Sequence, residues 1–144
     1  MIALDAPVTI GITHGAKYLF PEEKRPYLQL DIASVNDDSV YIASFSTMFL
    51  LDSGADKTVL DLTFTTDLGI DWKKCIKEPQ NVVGGVSRDA YLSEILIRLC
   101  GRWVRIPVAF MKDQELPILG REGVFDQMLL GFDHKNRYLF ASMK

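Results

Sequence analysis

The sequence predicts a mostly β protein, a small and mainly antiparallel domain of barrel or sandwich type. The chain has 144 residues, which is the length of one domain. Apolar residues make up 48% of it, which is enough to build a core. They fall in many short runs separated by glycine, proline and polar clusters, with about one helical stretch. Many short strands with few helices are typical of an all-β barrel or sandwich.

Charge and composition narrow the classes of partner. The net charge of −3 gives no indication of a nucleic-acid surface. No apolar run approaches the length of a membrane span, and residues 1–5 lack the features of a signal peptide. Two cysteines, Cys75 and Cys100, do not make a disulfide framework and suit a reducing compartment. We therefore expect a cytoplasmic protein with no nucleic-acid partner and no membrane partner.

The N-terminal segment, residues 1–26, is interrupted by three prolines and two glycines. Short strands are possible at residues 8–10 and 18–20. We interpret the segment as a peripheral arm, and the remaining residues, 27–144, as the folded domain.

The next segment predicts a β-hairpin that ends at Asp52. Residues 27–32 alternate between apolar and polar side chains, the pattern of a half-buried strand. The polar cluster at residues 36–39 predicts a turn. Residues 40–51 are rich in aromatic and β-branched side chains, which predicts the returning strand.

In the middle of the chain, short apolar runs alternate with glycines and polar residues that interrupt secondary structure. Residues 58–60 predict a short strand, and residues 60–68 a helical turn that Gly69 ends. Residues 71–80 have the composition of a loop. Residues 81–87 place apolar side chains around a glycine pair, which predicts a mobile hairpin or bend. A phosphate-binding loop is disfavoured because its spacing and its lysine are absent.

The C-terminal half begins with a second predicted hairpin. Residues 91–99 alternate, Gly101-Arg102 is a plausible two-residue turn, and residues 103–110 predict the returning strand. After a polar loop, residues 116–120 form another apolar run that ends in glycine.

The last part of the chain predicts one short helix and a closing strand. Arg121 to Met128 place Val124, Phe125 and Met128 at helical spacing. Residues 133–136 predict a turn, and residues 137–140 the closing strand.

Asp52 lies where an apolar run ends. The run Phe49-Leu50-Leu51 leads directly into the acid, and Gly54 permits a sharp turn just after it. Taken alone, this pattern is more typical of an ordinary turn than of a reactive carboxylate. The order of other features along the chain changes this interpretation.

Four features together resemble the retropepsin-like aspartic peptidases, the retroviral-protease superfamily. Residues 51–56, Leu-Asp-Ser-Gly-Ala-Asp, are similar to the catalytic signature Asp-(Thr/Ser)-Gly-Ala. Residues 118–121, Ile-Leu-Gly-Arg, are similar to the apolar pair and Gly-Arg that precede the family's lone C-terminal helix. Residues 83–86 stand where the family has its glycine-rich flap, and residues 95–101 where it has a similar strand and turn. The resemblance covers roughly residues 27–140, and its last part is closest to cellular and bacterial members.

The resemblance implies a small closed, barrel-like retropepsin fold with one short C-terminal helix, assembled as a homodimer. Peptide hydrolysis by this route needs two carboxylates around one water, one as base and one as acid. The chain has one Asp-Ser-Gly, so the second Asp52 is expected from a second copy across a two-fold axis. Such a pair shares a proton and titrates as a unit, as is known for aspartic peptidases. The implied partners are a second copy and a peptide or protein substrate.

The resemblance also assigns roles to residues. The catalytic set is Asp52, Ser53 and Gly54. The substrate-binding set is Ala55, Asp56, Val83, Gly84, Gly85, Leu116 and Ile118. The supporting residues are Gly120 and Arg121, with Arg121 expected to pair with Asp56. The alternatives are two separate surface charges for that pair, an ordinary hairpin for residues 83–85, and plain core for Leu116 and Ile118.

Three features of the chain depart from the family pattern: one residue and two segments. Ser53 stands where threonine is commoner, the flap segment carries fewer glycines, and the N-terminal arm is longer than in minimal viral enzymes. We expect no metal, because His14 and His134 lack the spacing of ligands, and no cofactor. The alternative function is a catalytically silent dimerisation or peptide-binding module on the same fold.

Overall fold

The computed structural model describes residues 15–19, 25–35, 44–81 and 85–143. In these ranges the chain forms ten strands, one short α-helix and two 3-10 helices. The strands are β1 (Gly15–Leu19), β2 (Tyr27–Ser34), β3 (Ser44–Leu51), β4 (Thr58–Asp61), β5 (Ile76–Asn81), β6 (Ser87–Leu99), β7 (Arg102–Met111), β8 (Ile118–Leu119), β9 (Met128–Asp133) and β10 (Tyr138–Met143). The helix α1 spans Phe64–Asp67, and the 3-10 helices span Trp72–Lys74 and Phe125–Gln127.

Six strands close into a barrel, which confirms the predicted barrel-type fold. Their order is β2-β3-β8-β4-β7-β6, and β2 pairs with β6 to complete the ring. The long strand β6 takes part in both the barrel and a hairpin. Its end, around Ile95 to Ile97, pairs with β2, and its beginning, Ser87 to Leu92, pairs with β5. Residues 90–92 also pair with β7, so only residues 87–89 extend beyond the ring. The β5–β6 hairpin is therefore an extension of one barrel strand.

The barrel interior is filled by the faces that alternation in the sequence predicted. Leu28, Leu30 and Ile32 of β2 are at most 3% exposed. The corresponding residues of the long hairpin, Ile95, Ile97, Leu99, Ile106, Val108 and Phe110, are also buried. Each such side chain contributes about 1.5–3 kcal/mol relative to an exposed position. The interior positions of these strands thus fix which side of the sheet faces inward.

A second, three-stranded sheet closes one side of the barrel. Its order is β1-β10-β9, all antiparallel. Leu139 and Ala141 pack into the core, and Tyr18 of β1 lies against them. The Tyr18 hydroxyl accepts a hydrogen bond of 3.0 Å from the Cys100 backbone N–H, and burial raises the pKa of this hydroxyl. The strand near the chain's beginning is therefore tied to the barrel. The possible strand at residues 8–10 lies outside the described residues, as do the turn at residues 36–39 and the beginning of the strand predicted at residues 40–51.

The segment predicted as a loop, residues 71–80, is structured, so that prediction is wrong. It contains the 3-10 helix Trp72–Lys74 and the strand β5. Strand β5 pairs with β6 from Ile76 to Asn81. Its charged side chains and Pro79 suggested a loop, but they are tolerated on a strand at the sheet edge.

Two further local predictions differ from the structure. The turn between β6 and β7 is Cys100-Gly101 rather than Gly101-Arg102, because Leu99 pairs with Arg102. Both turn residues have positive φ, 50° and 75°, as a type I′ turn requires. The helix predicted over residues 121–128 is reduced to the 3-10 helix Phe125–Gln127.

The reason for the shorter helix is the backbone at Gly123 and Val124. Gly123 has φ of 77°, and Val124 has φ of −118° and ψ of −81°, and neither is helical. Met128 then begins strand β9, whose pairing with β10 provides the backbone hydrogen bonds that a longer helix would have made. Of the three residues predicted to face inward, Val124 and Met128 are buried and Phe125 is half-buried.

Strand β8 lies between β3 and β4 in the sheet, although β3 and β4 follow one another in the sequence. It lies parallel to β3 and antiparallel to β4, so the turn at residues 52–57 wraps around its end. Gly120 follows β8 at the point of closest approach. A Cβ there would lie 2.4 Å from the carbonyl carbon and oxygen of Lys57 and 2.9 Å from the Thr58 nitrogen. Only glycine permits this crossing.

Replacement of Gly120 tests the crossing. We expect Gly120→Ala to lower the free energy of unfolding by about 3 kcal/mol, because a backbone must move to admit the methyl group. The matched control is Gly131→Ala, since a Cβ at that strand position meets nothing within 4 Å. Urea denaturation of both variants measures the difference. Equal, small effects would show that the crossing can relax.

Asp61 anchors the loop that leads from β7 to β8. Its carboxylate accepts hydrogen bonds from the Thr63 backbone N–H at 3.0 Å, from the Thr63 hydroxyl and from the Gln114 backbone N–H at 2.9 Å. These bonds, that of the Thr63 hydroxyl first, hold the pKa of Asp61 below its ordinary value. The charged form is thus favoured in the folded protein.

The stability contributed by charged Asp61 should depend on pH. It is fully present above the unfolded pKa, about 3.9, and is lost as the pH falls through the lower folded pKa. We expect Asp61→Asn to lower Tm by roughly 4 °C at pH 7, the effect of about one net hydrogen bond. Thermal melts from pH 7 to pH 2 should show the gap to the wild type closing at the acidic end. A gap that stays constant over this range would contradict the assignment.

Candidate functional site

Asp52 lies in the turn that follows β3, and its position is fixed by backbone hydrogen bonds. Its N–H donates to the Leu119 carbonyl at 3.0 Å, and its carbonyl accepts from the Ala55 N–H at 3.2 Å. The carboxylate oxygen Oδ1 accepts from the Gly54 N–H at 2.9 Å. The side chain is half-buried. The turn therefore holds one carboxylate oxygen while the residue keeps access to solvent.

Gly54 lies close to this carboxylate. A Cβ at Gly54 would lie 3.1 Å from Asp52 Oδ1, which is tighter than about nine in ten real Cβ contacts. Ser53 and Gly54 are both exposed. A side chain at position 54 would therefore require the Asp52 carboxylate to shift by a few tenths of an ångström.

The Asp52 turn is clamped to the residues after β8 by backbone bonds. The Arg121 N–H donates to the Ala55 carbonyl at 2.9 Å, and the Glu122 N–H to the Asp56 carbonyl at 2.8 Å. The structure thus joins two of the sequence features, residues 51–56 and residues 118–121, which are far apart in the chain.

Thr58 completes this clamp, and the sequence analysis missed it. Its side chain is fully buried, and its hydroxyl accepts a hydrogen bond of 3.2 Å from the Gly120 N–H. The available signal was a hydroxyl residue inside the apolar run at residues 58–60, because a buried hydroxyl needs a partner.

Asp56 and Arg121 form the ion pair that was predicted. Beside it, Lys57 and Glu122 form a second pair at 3.4 Å. The side chains of Asp56 and Arg121 are 72% and 54% exposed. Exposed pairs contribute under about 1 kcal/mol. The backbone bonds, rather than this ion pair, therefore carry most of the connection between the two segments.

Strands β5 and β6, which flank the predicted glycine-rich segment, pair as a hairpin from Asn81 and Ser87 onward. Val83 and Gly84 lie outside the described residues. Gly85 has φ of 77° and is exposed, and Val86 is 63% exposed. Gly85 and Val86 therefore present a positive-φ glycine and an exposed apolar side chain to solvent.

Ile118 lies in strand β8 and Leu116 lies just before it. The next residue of that strand, Leu119, hydrogen bonds to Asp52. Ile118 is paired with Leu50 of β3 and with Val59 of β4. Both Leu116 and Ile118 are half-buried, so each is partly core and partly surface. Ile118 thus lies next to the strand that ends at Asp52.

The described residues contain no group of three or more His, Cys, Asp or Glu side chains that could hold a metal ion. In the same part of the chain, no helix is long and apolar enough to cross a membrane.

Comparisons with solved structures identify the fold. A retropepsin-like aspartic protease from Rickettsia conorii aligns with a TM-score of 0.64 and 17% sequence identity, over 88% of this chain and 89% of that chain. EIAV protease complexed with the inhibitor HBY-793 aligns with a TM-score of 0.47 and 28% identity, over 71% of this chain and 86% of that chain. No protein-family model matches the chain, and no curated protein does. The chain has a retropepsin-like fold.

A double-mutant cycle measures how much the Asp56–Arg121 pair contributes. We expect a coupling of under about 1 kcal/mol between Asp56→Ala and Arg121→Ala, because both side chains are largely exposed. The coupling should fall in 1 M salt, which screens exposed charges. Urea denaturation of the wild type, both single variants and the double variant gives the value. A coupling of 3 kcal/mol or more, on the order of a buried pair, would contradict the exposed geometry.

Proposed function

We propose that this chain is an aspartic endopeptidase that acts as a homodimer. Two Asp52 carboxylates, one from each subunit, would activate a water molecule for attack on a peptide bond. The observation that carries the proposal is the setting of Asp52. It is a half-buried carboxylate held by the Gly54 N–H in a turn clamped to Gly120-Arg121, on a retropepsin-like fold.

The chemistry needs two carboxylates in different protonation states. The ionised one takes a proton from water as the water oxygen attacks the carbonyl carbon, and the protonated one gives its proton to the carbonyl oxygen. Collapse of the tetrahedral intermediate breaks the C–N bond, and a proton moves to the leaving nitrogen. The chain supplies one Asp-Ser-Gly, so the second carboxylate is proposed to come from an identical subunit across a two-fold axis.

Other residues have supporting roles in this proposal. Ser53, which is exposed beside Asp52, would hydrogen bond across the axis to the partner turn. The hairpin tip, with Val83, Gly84 and Gly85, would cover a bound peptide and hydrogen bond to its backbone. Ala55, Asp56, Leu116 and Ile118 would line the peptide site. Neither cysteine is in a disulfide, which suits the proposed cytoplasmic location.

The alternative, a silent peptide-binding or dimerisation module, is less well supported. Such a module has no use for a carboxylate at a dimer axis, where an uncompensated charge is costly. Gly54 is also placed where a Cβ would lie 3.1 Å from that carboxylate, a tight contact that requires the carboxylate to shift. These two features together favour a role for Asp52 in chemistry.

Replacement of the carboxylate tests the mechanism. We expect Asp52→Asn to reduce peptide hydrolysis by at least about 10³-fold, because the amide cannot exchange protons as an acid–base pair must. The amide oxygen can still accept the Gly54 N–H, so the fold and Tm should change little. The control is Asp126→Asn, which removes an exposed carboxylate elsewhere. Turnover of a peptide library measures both. Undiminished turnover by Asp52→Asn would exclude Asp52 from the mechanism.

The dimer requirement gives an independent prediction. Specific activity should fall on dilution through the Kd of the dimer, because each chain supplies half of the catalytic pair. Excess Asp52→Asn chain mixed with wild type should also suppress activity, since mixed dimers carry one acid. Activity per milligram is measured over a dilution series, with sedimentation in parallel. Constant specific activity where sedimentation shows only monomer would exclude the two-fold mechanism.

A further inference from the structure

One peptide unit links the buried Thr58 side chain to Asp52. The C=O of Leu119 and the N–H of Gly120 belong to the same planar unit, and because the unit is trans, these two groups point in opposite directions. The N–H donates to the Thr58 hydroxyl at 3.2 Å. The C=O accepts the Asp52 N–H at 3.0 Å. The orientation of this unit is therefore held from both sides.

The unit lies where water does not readily replace a lost hydrogen bond. Thr58 and Leu119 are 0% exposed, and Gly120 is buried. Since a buried N–H without a partner costs free energy, loss of the Thr58 hydroxyl makes the Gly120 N–H turn toward another acceptor. In a planar unit, the C=O turns together with the N–H. A change at Thr58 is therefore transmitted to the hydrogen bond that the Asp52 N–H makes.

The hydrogen bond to Leu119 determines where the Asp52 backbone lies relative to the barrel. Two other bonds of Asp52 stay within its own turn: Oδ1 accepts the Gly54 N–H at 2.9 Å, and the carbonyl accepts the Ala55 N–H at 3.2 Å. Among the described contacts of Asp52, the bond to Leu119 is the one that reaches another strand, β8. The carboxylate projects from the backbone that this bond holds.

We infer that Thr58 is a positioning residue that orients Asp52 through the Leu119–Gly120 peptide unit. The inference rests on the proposed function, in which two Asp52 carboxylates act on one water. Both subunits contain the same linkage, so loss of the hydroxyl displaces both carboxylates. A displacement of about 1 Å can lower a rate by about 10²-fold. Because Thr58 is fully buried and out of reach of a substrate, its loss lowers kcat and leaves KM nearly unchanged.

The test changes the Thr58 side chain in two ways. Thr58→Val keeps the branched shape and removes the hydroxyl, whereas Thr58→Ser keeps the hydroxyl and removes the methyl group. The matched control is Thr65→Val, which makes the same change at the second buried polar side chain of the described ranges. The Thr65 hydroxyl donates to the Leu62 carbonyl at 2.6 Å, beside α1 and not at the Asp52 turn.

Peptide hydrolysis is measured well below every Tm, at chain concentrations where sedimentation shows the dimer. In Thr58→Val we expect kcat to fall roughly 10- to 100-fold, with KM within about twofold of the wild type. Thr58→Ser should keep kcat within about threefold of the wild type, although loss of a buried methyl group lowers its Tm. Thr65→Val should lower Tm and leave kcat unchanged.

Two kinetic results would overturn the inference. One is a wild-type kcat in Thr58→Val, and the other is a kcat that falls as far in Thr58→Ser as in Thr58→Val. Thr58→Ala removes the hydroxyl and adds no volume, so it gives the same test if the valine variant does not fold.

Amide hydrogen exchange separates this inference from the proposed function. In Thr58→Val, exchange of the Asp52 amide should increase about tenfold, because its acceptor moves. Exchange of the Leu62 amide, which donates to the Met111 carbonyl, should not change. Unchanged exchange at Asp52 would overturn the positioning role, whether or not the protein cleaves peptides. A wild type that cleaves no peptide would overturn the proposed function, and the exchange experiment would still decide the role of Thr58.

Discussion

The structure depends on one contact between two stretches of backbone, Gly120 against Lys57 and Thr58. A side chain at Gly120 would lie 2.4 Å from Lys57, so the contact exists only because the residue is glycine. This contact lets β8 lie between β3 and β4 and brings the end of β8 to the Asp52 turn. The proposed catalytic carboxylate is thus positioned by the barrel's own strand crossing rather than by a flexible loop.

Backbone hydrogen bonds, rather than ion pairs, hold the site together. The carbonyls of Ala55 and Asp56 accept bonds of 2.9 and 2.8 Å from the segment after β8, and the buried Thr58 hydroxyl accepts the Gly120 N–H. The Asp56–Arg121 pair lies in solvent, where screening reduces its contribution.

Much of the fold could be predicted where one face of a strand is buried. Alternation placed Ile95 with Ile97, and Ile106 with Val108, on common strand faces, and the structure shows that these faces are buried. Burial of one face forces a period of two on such strands. Prediction failed where no face is buried deeply. Strand β5 has charged side chains and a proline at a sheet edge, so its pattern is the pattern of a loop. The turn at Cys100-Gly101 was missed by one residue, because its position follows from the register of two strands.

The sequence by itself determined the β class, the inward faces, the end of a strand at Asp52 and the order of the family-like features. The resemblance predicted that Asp56 pairs with Arg121. It did not predict that both side chains of the pair are largely exposed. Only the tertiary structure decided that Thr58 is part of the clamp and that residues 121–128 are not an α-helix. The physical reason is the distance along the chain over which each interaction acts. Periodicity and turn chemistry act between neighbours in the chain, whereas register, edge pairing and close backbone contacts depend on residues that meet only after the barrel has closed.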